Sequence, residues 1–228
     1  MNLSLPAFCM RVGVALGAVA IWGLRICAAQ EPGPARWESA IAAFEHQDQE
    51  ALPAPGGILF VGSSSIRRWD LQQSFPDRRA LNRGFGGSEV ADALHYADRI
   101  ILPYRPRIVV VYAGDNDIAR GTTPCEVYAN FKQLVSVIHE RLPETRIVYI
   151  AIKPSPKRWE LVHRARAANA LIKAECLEHD RLAFVDVDTP MIGDDGQPRG
   201  ELFVEDKLHL SDAGYELWTQ LVRPHLVE

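Results

Sequence analysis

Apolar positions along this chain fall into two alternating rhythms. Short β-rich runs recur at 58–61, 79–82, 107–113, 146–153 and 182–187. The stretches between them, at about 89–102, 124–142 and 157–179, carry apolar residues at helical spacing. Strands alternating with helices predict a parallel sheet wound with helices on both faces, with RIVVVYA and RIVYIAI as its central strands. Upstream, Trp37, Ile41 and Phe44 predict a short amphipathic helix over one edge of the domain, ended by the Pro- and Gly-rich stretch 52–57. Downstream, Tyr215, Leu217, Trp218, Leu221 and Val222 predict a last helix from about 211 to 226, with Ser211 as its N-cap. The organisation is therefore a linker and N-terminal helix over 30–56 and an α/β domain over 57–228.

The first 29 residues break this rhythm. Arg11 precedes an uncharged run, Val12 to Leu24, that is short for a membrane span but typical of a signal-peptide core, and Cys27, Ala28 and Ala29 offer small residues for cleavage. Residues 1–29 are read as an export signal. The mature protein is then exported, periplasmic or extracellular, with no stable membrane anchor. An uncleaved anchor would need ~20 apolar residues, and Arg25 and Ile26 disfavour lipidation at Cys27. The length of 228 residues, 47% hydrophobic and 24% charged, suits one sizeable domain, and a formal net charge of -4 argues against nucleic acid and anionic membranes as partners. Of the 4 cysteines only Cys125 and Cys176 lie beyond the signal, either as a disulfide or as two separate buried thiols. Neither has metal-like spacing.

In a parallel sheet every strand's carboxyl end opens on the same edge, so the residues just after each strand become neighbours. Those ends read Gly62-Ser63-Ser64-Ser65, then Asn82-Arg83-Gly84-Phe85-Gly86-Gly87-Ser88, then Gly114-Asp115-Asn116-Asp117, and Asp206-Lys207-Leu208-His209 stands just before the last helix. Each block has a plainer reading: serines as turn residues, glycines as a loop, Asn116 as a cap between two solvated acids, a histidine on the surface. Taken together they supply one reaction. A serine can attack, a histidine can take its proton, an aspartate three residues earlier can hold the imidazole, and backbone N–H groups with an asparagine amide can receive an oxyanion. The first block lacks the G-x-G-x-x-G spacing and the Walker lysine of a phosphate-binding loop.

These four blocks resemble the SGNH/GDSL hydrolase family, in its order, over most of residues 57–225; GDND and DKLH match well, NRGFGG is good, and Gly62-Ser63-Ser64 departs from Gly-Asp-Ser. The resemblance implies a three-layer α/β/α, flavodoxin-like domain with a central five-stranded parallel sheet, hydrolysing esters or thioesters without cofactor or metal. It implies Ser64 as nucleophile, with Ser63 as the neighbouring hydroxyl, Asp206 and His209 as its partners, and an oxyanion hole from Ser64, Gly87 and Asn116. Lys153, at the start of the loop to Trp159, together with Arg67 or Arg83 is a candidate to bind an acidic or hydroxylated substrate group; the same loop also reads as a rigid, solvated connection. Because no long lid insertion separates the blocks, the expected substrate is a small-molecule, short-acyl ester such as acetylated carbohydrate. A lysophospholipase or thioesterase, and a non-catalytic ligand-binding module in the same cleft, are the alternatives.

Overall fold

Strands covered on both faces can be apolar at every position rather than at alternate ones, and this is what the central runs of the chain are. The computed structural model describes Met1 and residues 33–227; the signal expected over 1–29 lies, Met1 apart, outside the described residues. The chain divides into Met1–Gly33 and Pro34–Glu228, and the fold is that of the second unit. In chain order it runs α1 (Glu38–Glu50), β1 (Ile58–Gly62), α2 (Ser64–Arg67), α3 (Leu71–Ser74), β2 (Ala80–Gly84), α4 (Val90–His95) and α5 (Ala97–Ile100). There follow β3 (Ile108–Tyr112), α6 (Asp115–Ala119), α7 (Pro124–Arg141), β4 (Arg146–Ile150), α8 (Val162–Leu177), β5 (Leu182–Val185) and α9 (Asp212–Val222), with short 3-10 turns between.

The five strands are parallel in the order β2-β1-β3-β4-β5. Residues alternate between the two faces. Leu59, Val61, Val109, Val111, Ile147 and Tyr149 pack under α1, α4, α5, α7 and α8. Ile58, Phe60, Val110, Tyr112, Val148 and Ile150 pack against α2, α3 and α9. This is the three-layer α/β/α arrangement expected. The chain reverses direction across the sheet between β1 and β3, and such a switch point leaves a crevice at the carboxyl ends of the strands.

Local chemistry sets the boundaries. Thr123 and Glu126 form a capping box with Pro124 opening α7, and Ser211 caps α9 through the Gly214 N–H. The run 146–153 leaves strand geometry at Ile150, ahead of Pro154 and Pro156, which have no N–H to offer a ladder. The helical stretch 157–179 accordingly begins with a 3-10 turn, Pro156–Leu161, before α8. Cys125 and Cys176 are both free; Cys176 is buried, but Cys125 is exposed, a correction to the expectation of two buried thiols.

Gly62 holds φ at +141°, and a Cβ there would lie 1.9 Å from the Tyr112 carbonyl oxygen. Gly62→Ala is therefore expected to cost at least ~3 kcal/mol through combined strain and steric clash. Urea unfolding would measure it; a loss below ~1 kcal/mol would show that β1 and β3 can part without penalty.

Candidate active site

The turn after β1 delivers two serines to different places. Ser63 is 3% exposed, its N–H is donated to the Tyr112 carbonyl at 3.0 Å, and its own carbonyl accepts from Ile66 and Arg67 at the start of α2. Ser64, half-buried, has its Oγ 2.9 Å from His209 Nε2. The other imidazole nitrogen, Nδ1, lies 2.6 Å from Asp206 Oδ2, while Asp206 Oδ1 accepts the N–H groups of Leu208 and His209, each at 2.9 Å. Lys207 in the left-handed region, φ 58°, makes this tight turn, and the Val204 N–H bonded to the His209 carbonyl closes it. Burial pushes the Asp206 carboxyl up, but the hydrogen bonds from the His209 side chain and from the two backbone N–H groups outweigh it and hold the group well below the usual carboxylate range.

The serine-bearing turn is pinned from three sides. Asn82 donates its amide to the carbonyls of Ile66 and Trp69 at 2.7 and 3.2 Å and accepts the Gly84 N–H at 2.9 Å. Tyr215 of α9 donates its hydroxyl to the Ser65 carbonyl at 2.9 Å. The Phe85 N–H meets the Gly62 carbonyl at 2.8 Å, so the loop carrying Gly86 to Ser88 leaves the sheet beside the serines. Gly87, at φ +80°, lies under the Trp37 ring, which comes within 3.2 Å of where a Cβ would sit. Asn116 reaches this loop directly, its Nδ2 donating to the Ser88 carbonyl at 3.0 Å. Asp117 ties the same two elements together, accepting the Val90 N–H at the start of α4 at 3.0 and 3.3 Å.

Two sequence expectations are corrected. Arg83 does not face a substrate: it is 4% exposed, donates to the Tyr104 hydroxyl at 2.7 Å and pairs with Asp48 of α1, lying over the Phe44 and Tyr104 rings. Lys153 is 3% exposed and donates to Asp115 Oδ2 at 2.9 Å and the Tyr112 hydroxyl at 3.0 Å. A buried cation must be paired, and both partners come from distant stretches of chain. Asp115 and Asp117 are likewise buried instead of solvated, Asp115 against the Lys153 and Arg158 cations and Asp117 against the Val90 N–H. Arg158, seen in the sequence only as part of the 153–159 loop, stands within 2.7 Å of Asp115 and donates to Asn116 Oδ1 at 3.1 Å. Trp37, expected only as a helix core residue, is the wall behind Gly87. Among the described residues no group of three or more His, Cys, Asp or Glu side chains is placed to hold a metal ion.

A flavodoxin-like sheet whose first, second and third strand ends and late Asp-x-x-His turn meet at one edge defines the class of SGNH hydrolases. The model of the GDSL-like Lipase/Acylhydrolase family matches residues 60–217, and the chain belongs to that family. It is 30% identical over 190 residues to platelet-activating factor acetylhydrolase IB subunit alpha1 of Bos taurus, covering 80% of this chain and 79% of that one. To subunit alpha2 of Rattus norvegicus it is 25% identical over the same length, covering 80% of each. Among solved structures it resembles a GDSL-like lipase from Bacteroides thetaiotaomicron, with TM-score 0.69 and 18% identity over 85% of this chain and 97% of that one. It also resembles an acetyl-xylooligosaccharide esterase from Geobacillus, with TM-score 0.62 and 18% identity over 77% and 97%. At such identities these two likenesses concern the fold.

Burial pushes the Asp117 carboxyl up to about 7, against the opposing Val90 N–H, which favours its charge. The folded value lies above the unfolded one of about 4, so the stability gained from protonated Asp117 is full below about pH 4 and is lost as pH rises through about 7. Asp117→Asn stays neutral throughout, and its stability relative to wild type is expected to rise by on the order of 4 kcal/mol between about pH 4 and about pH 8. Thermal melts across that range test it; a pH-independent difference in Tm would remove Asp117 as the titrating group.

Proposed function

We propose that the protein is a serine carboxylic ester hydrolase that removes short acyl groups, acetyl above all, from hydroxylated small molecules. The observation that carries this reading is the hydrogen-bonded line from Ser64 Oγ through His209 to Asp206. His209 takes the Ser64 proton at Nε2 as Oγ attacks the ester carbonyl, and Asp206 holds Nδ1–H and offsets the imidazolium charge. The tetrahedral oxyanion is received by the Ser64 and Gly87 N–H groups and by the second Nδ2 hydrogen of Asn116. Collapse releases the alcohol, protonated by His209; water, deprotonated by the same nitrogen, then frees the acid and restores Ser64.

The acetyl preference is supported by the names of two relatives, an acetylhydrolase subunit and an acetyl-xylooligosaccharide esterase. A groove of about 650 Å³ between α2, α3 and α9, lined by Arg68, Asp70, Gln73, Asp212, Glu216 and Gln220 together with Trp69, Ala213 and Tyr215, offers a leaving group both hydrogen-bonding and apolar contacts, although none of Ser64, Gly87, Asn116 and His209 lines it. Export rests on residues 1–29 alone, and mass spectrometry of the secreted protein is expected to find a new N-terminus near residue 30; an intact leader on exported protein would refute cleavage.

Hydrolysis of p-nitrophenyl esters from acetyl to palmitoyl tests the reaction and the acyl pocket together. Ser64→Ala and His209→Ala should each lower kcat by at least ~1,000-fold, and Asn116→Ala by ~100- to 1,000-fold, whereas Ser63→Ala stays near wild type. Loss of activity in Ser63→Ala alone would move the nucleophile by one residue. A palmitoyl optimum would favour a lipid-directed enzyme, and binding without turnover of any ester a non-catalytic module.

A further inference from the structure

The Asn116 amide is held from both ends. Arg158 can only donate and the Ser88 carbonyl can only accept, so Oδ1 must face Arg158 at 3.1 Å and Nδ2 must face Ser88 at 3.0 Å. One Nδ2 hydrogen is used by Ser88, and the other is left for an acceptor. Turned by half a rotation, the amide would set its oxygen against the Ser88 carbonyl and offer an oxyanion no hydrogen.

What holds Arg158 is a buried cluster of charge. Its Nη1 lies 2.7 Å from Asp115 Oδ1, and the other Asp115 oxygen takes Lys153, which also donates to Tyr112 on β3. One carboxylate thus faces two cations, leaving an excess of one positive charge behind the amide in a site largely withdrawn from water. A charged donor on Oδ1 draws density from the amide and makes Nδ2–H the stronger donor. The 3-10 turn bearing Arg158 is itself tied to the opposite half of the site, the Lys157 N–H meeting the Lys207 carbonyl at 3.0 Å inside the Asp206 to His209 turn.

We infer that Arg158 is a positioning residue for the oxyanion hole: bridging Asp115 and Asn116, it orients and polarises the Asn116 amide without touching the substrate. The inference rests on the proposed role of Asn116. Lysine cannot replace it, because a single ammonium has no planar fork to span both partners.

The test is a double-mutant cycle on p-nitrophenyl acetate with the purified protein. Arg158→Ala should lower kcat about tenfold with KM unchanged, the lower end of what a hydrogen bond to a charged group contributes, but should lower it by less than about twofold in the Asn116→Ala background. Arg158→Lys should fall nearly as far as Arg158→Ala, and added guanidinium should restore part of the Arg158→Ala rate but none in the double variant. Equal factors in both backgrounds would overturn the inference in favour of a merely structural residue. So would an unchanged Arg158→Ala beside a slowed Asn116→Ala, which leaves the oxyanion reading standing. An unchanged Asn116→Ala would bring down that reading and this one with it. If circular dichroism finds Arg158→Ala unfolded, Arg158→Lys, which keeps the charge beside Asp115, carries the same cycle and the same overturning outcome.

Discussion

The carboxyl edge of the sheet is built on the close approach of β1 to β3 at Gly62. There the Tyr112 carbonyl occupies the space that any side chain would need, and the next residue, Ser63, donates its N–H to that same carbonyl. The chain therefore turns into α2 hard against the central strands, and Ser64 is presented at the switch point. The Asn82 amide beneath α2, the Tyr215 hydroxyl on Ser65 and the Trp69, Tyr215 and Trp218 rings, with centroids 5.7 Å from Trp69, add further ties. Each such hydrogen bond nets only ~1 kcal/mol, so placement of a hydroxyl against an imidazole 145 residues later needs all of them.

A second constraint is the disposal of buried charge. Asp115 and Asp117 stand two residues apart, both buried, and meet opposite fates. Burial pushes both carboxyls up; around Asp115 the Lys153 and Arg158 charges more than reverse this, while Asp117 has only backbone N–H groups to oppose it. The neutral-leaning acid clamps α4, the charged one clamps Arg158, and Asn116 between them is fixed by the consequences of both. Arg83 solves the same problem elsewhere, pairing with Asp48 so that α1 is bound to the sheet on which it packs.

Legibility followed the range of the interactions. The Asp206–His209 pair spans three residues and its geometry is local, so spacing alone is informative. The strand and helix rhythm is local too, and the four blocks could be assembled once a parallel sheet was inferred. Arg83 and Lys153 could not be read this way, because a charged side chain declares its sign but not its partner. Asp48 lies 35 residues from Arg83, and Asp115 lies 38 from Lys153.

The amino-acid sequence by itself determined the layer architecture, the edge on which the polar blocks gather and the family to which they belong, because periodicity, turn residues and short motifs act over a few positions. Only the tertiary structure decided which hydroxyl of the Ser63-Ser64 pair meets His209, which cations are spent inside the protein, and that Trp37 and Arg158 stand behind Gly87 and Asn116. Those outcomes depend on which side chains burial brings face to face, and burial is a property of the whole fold.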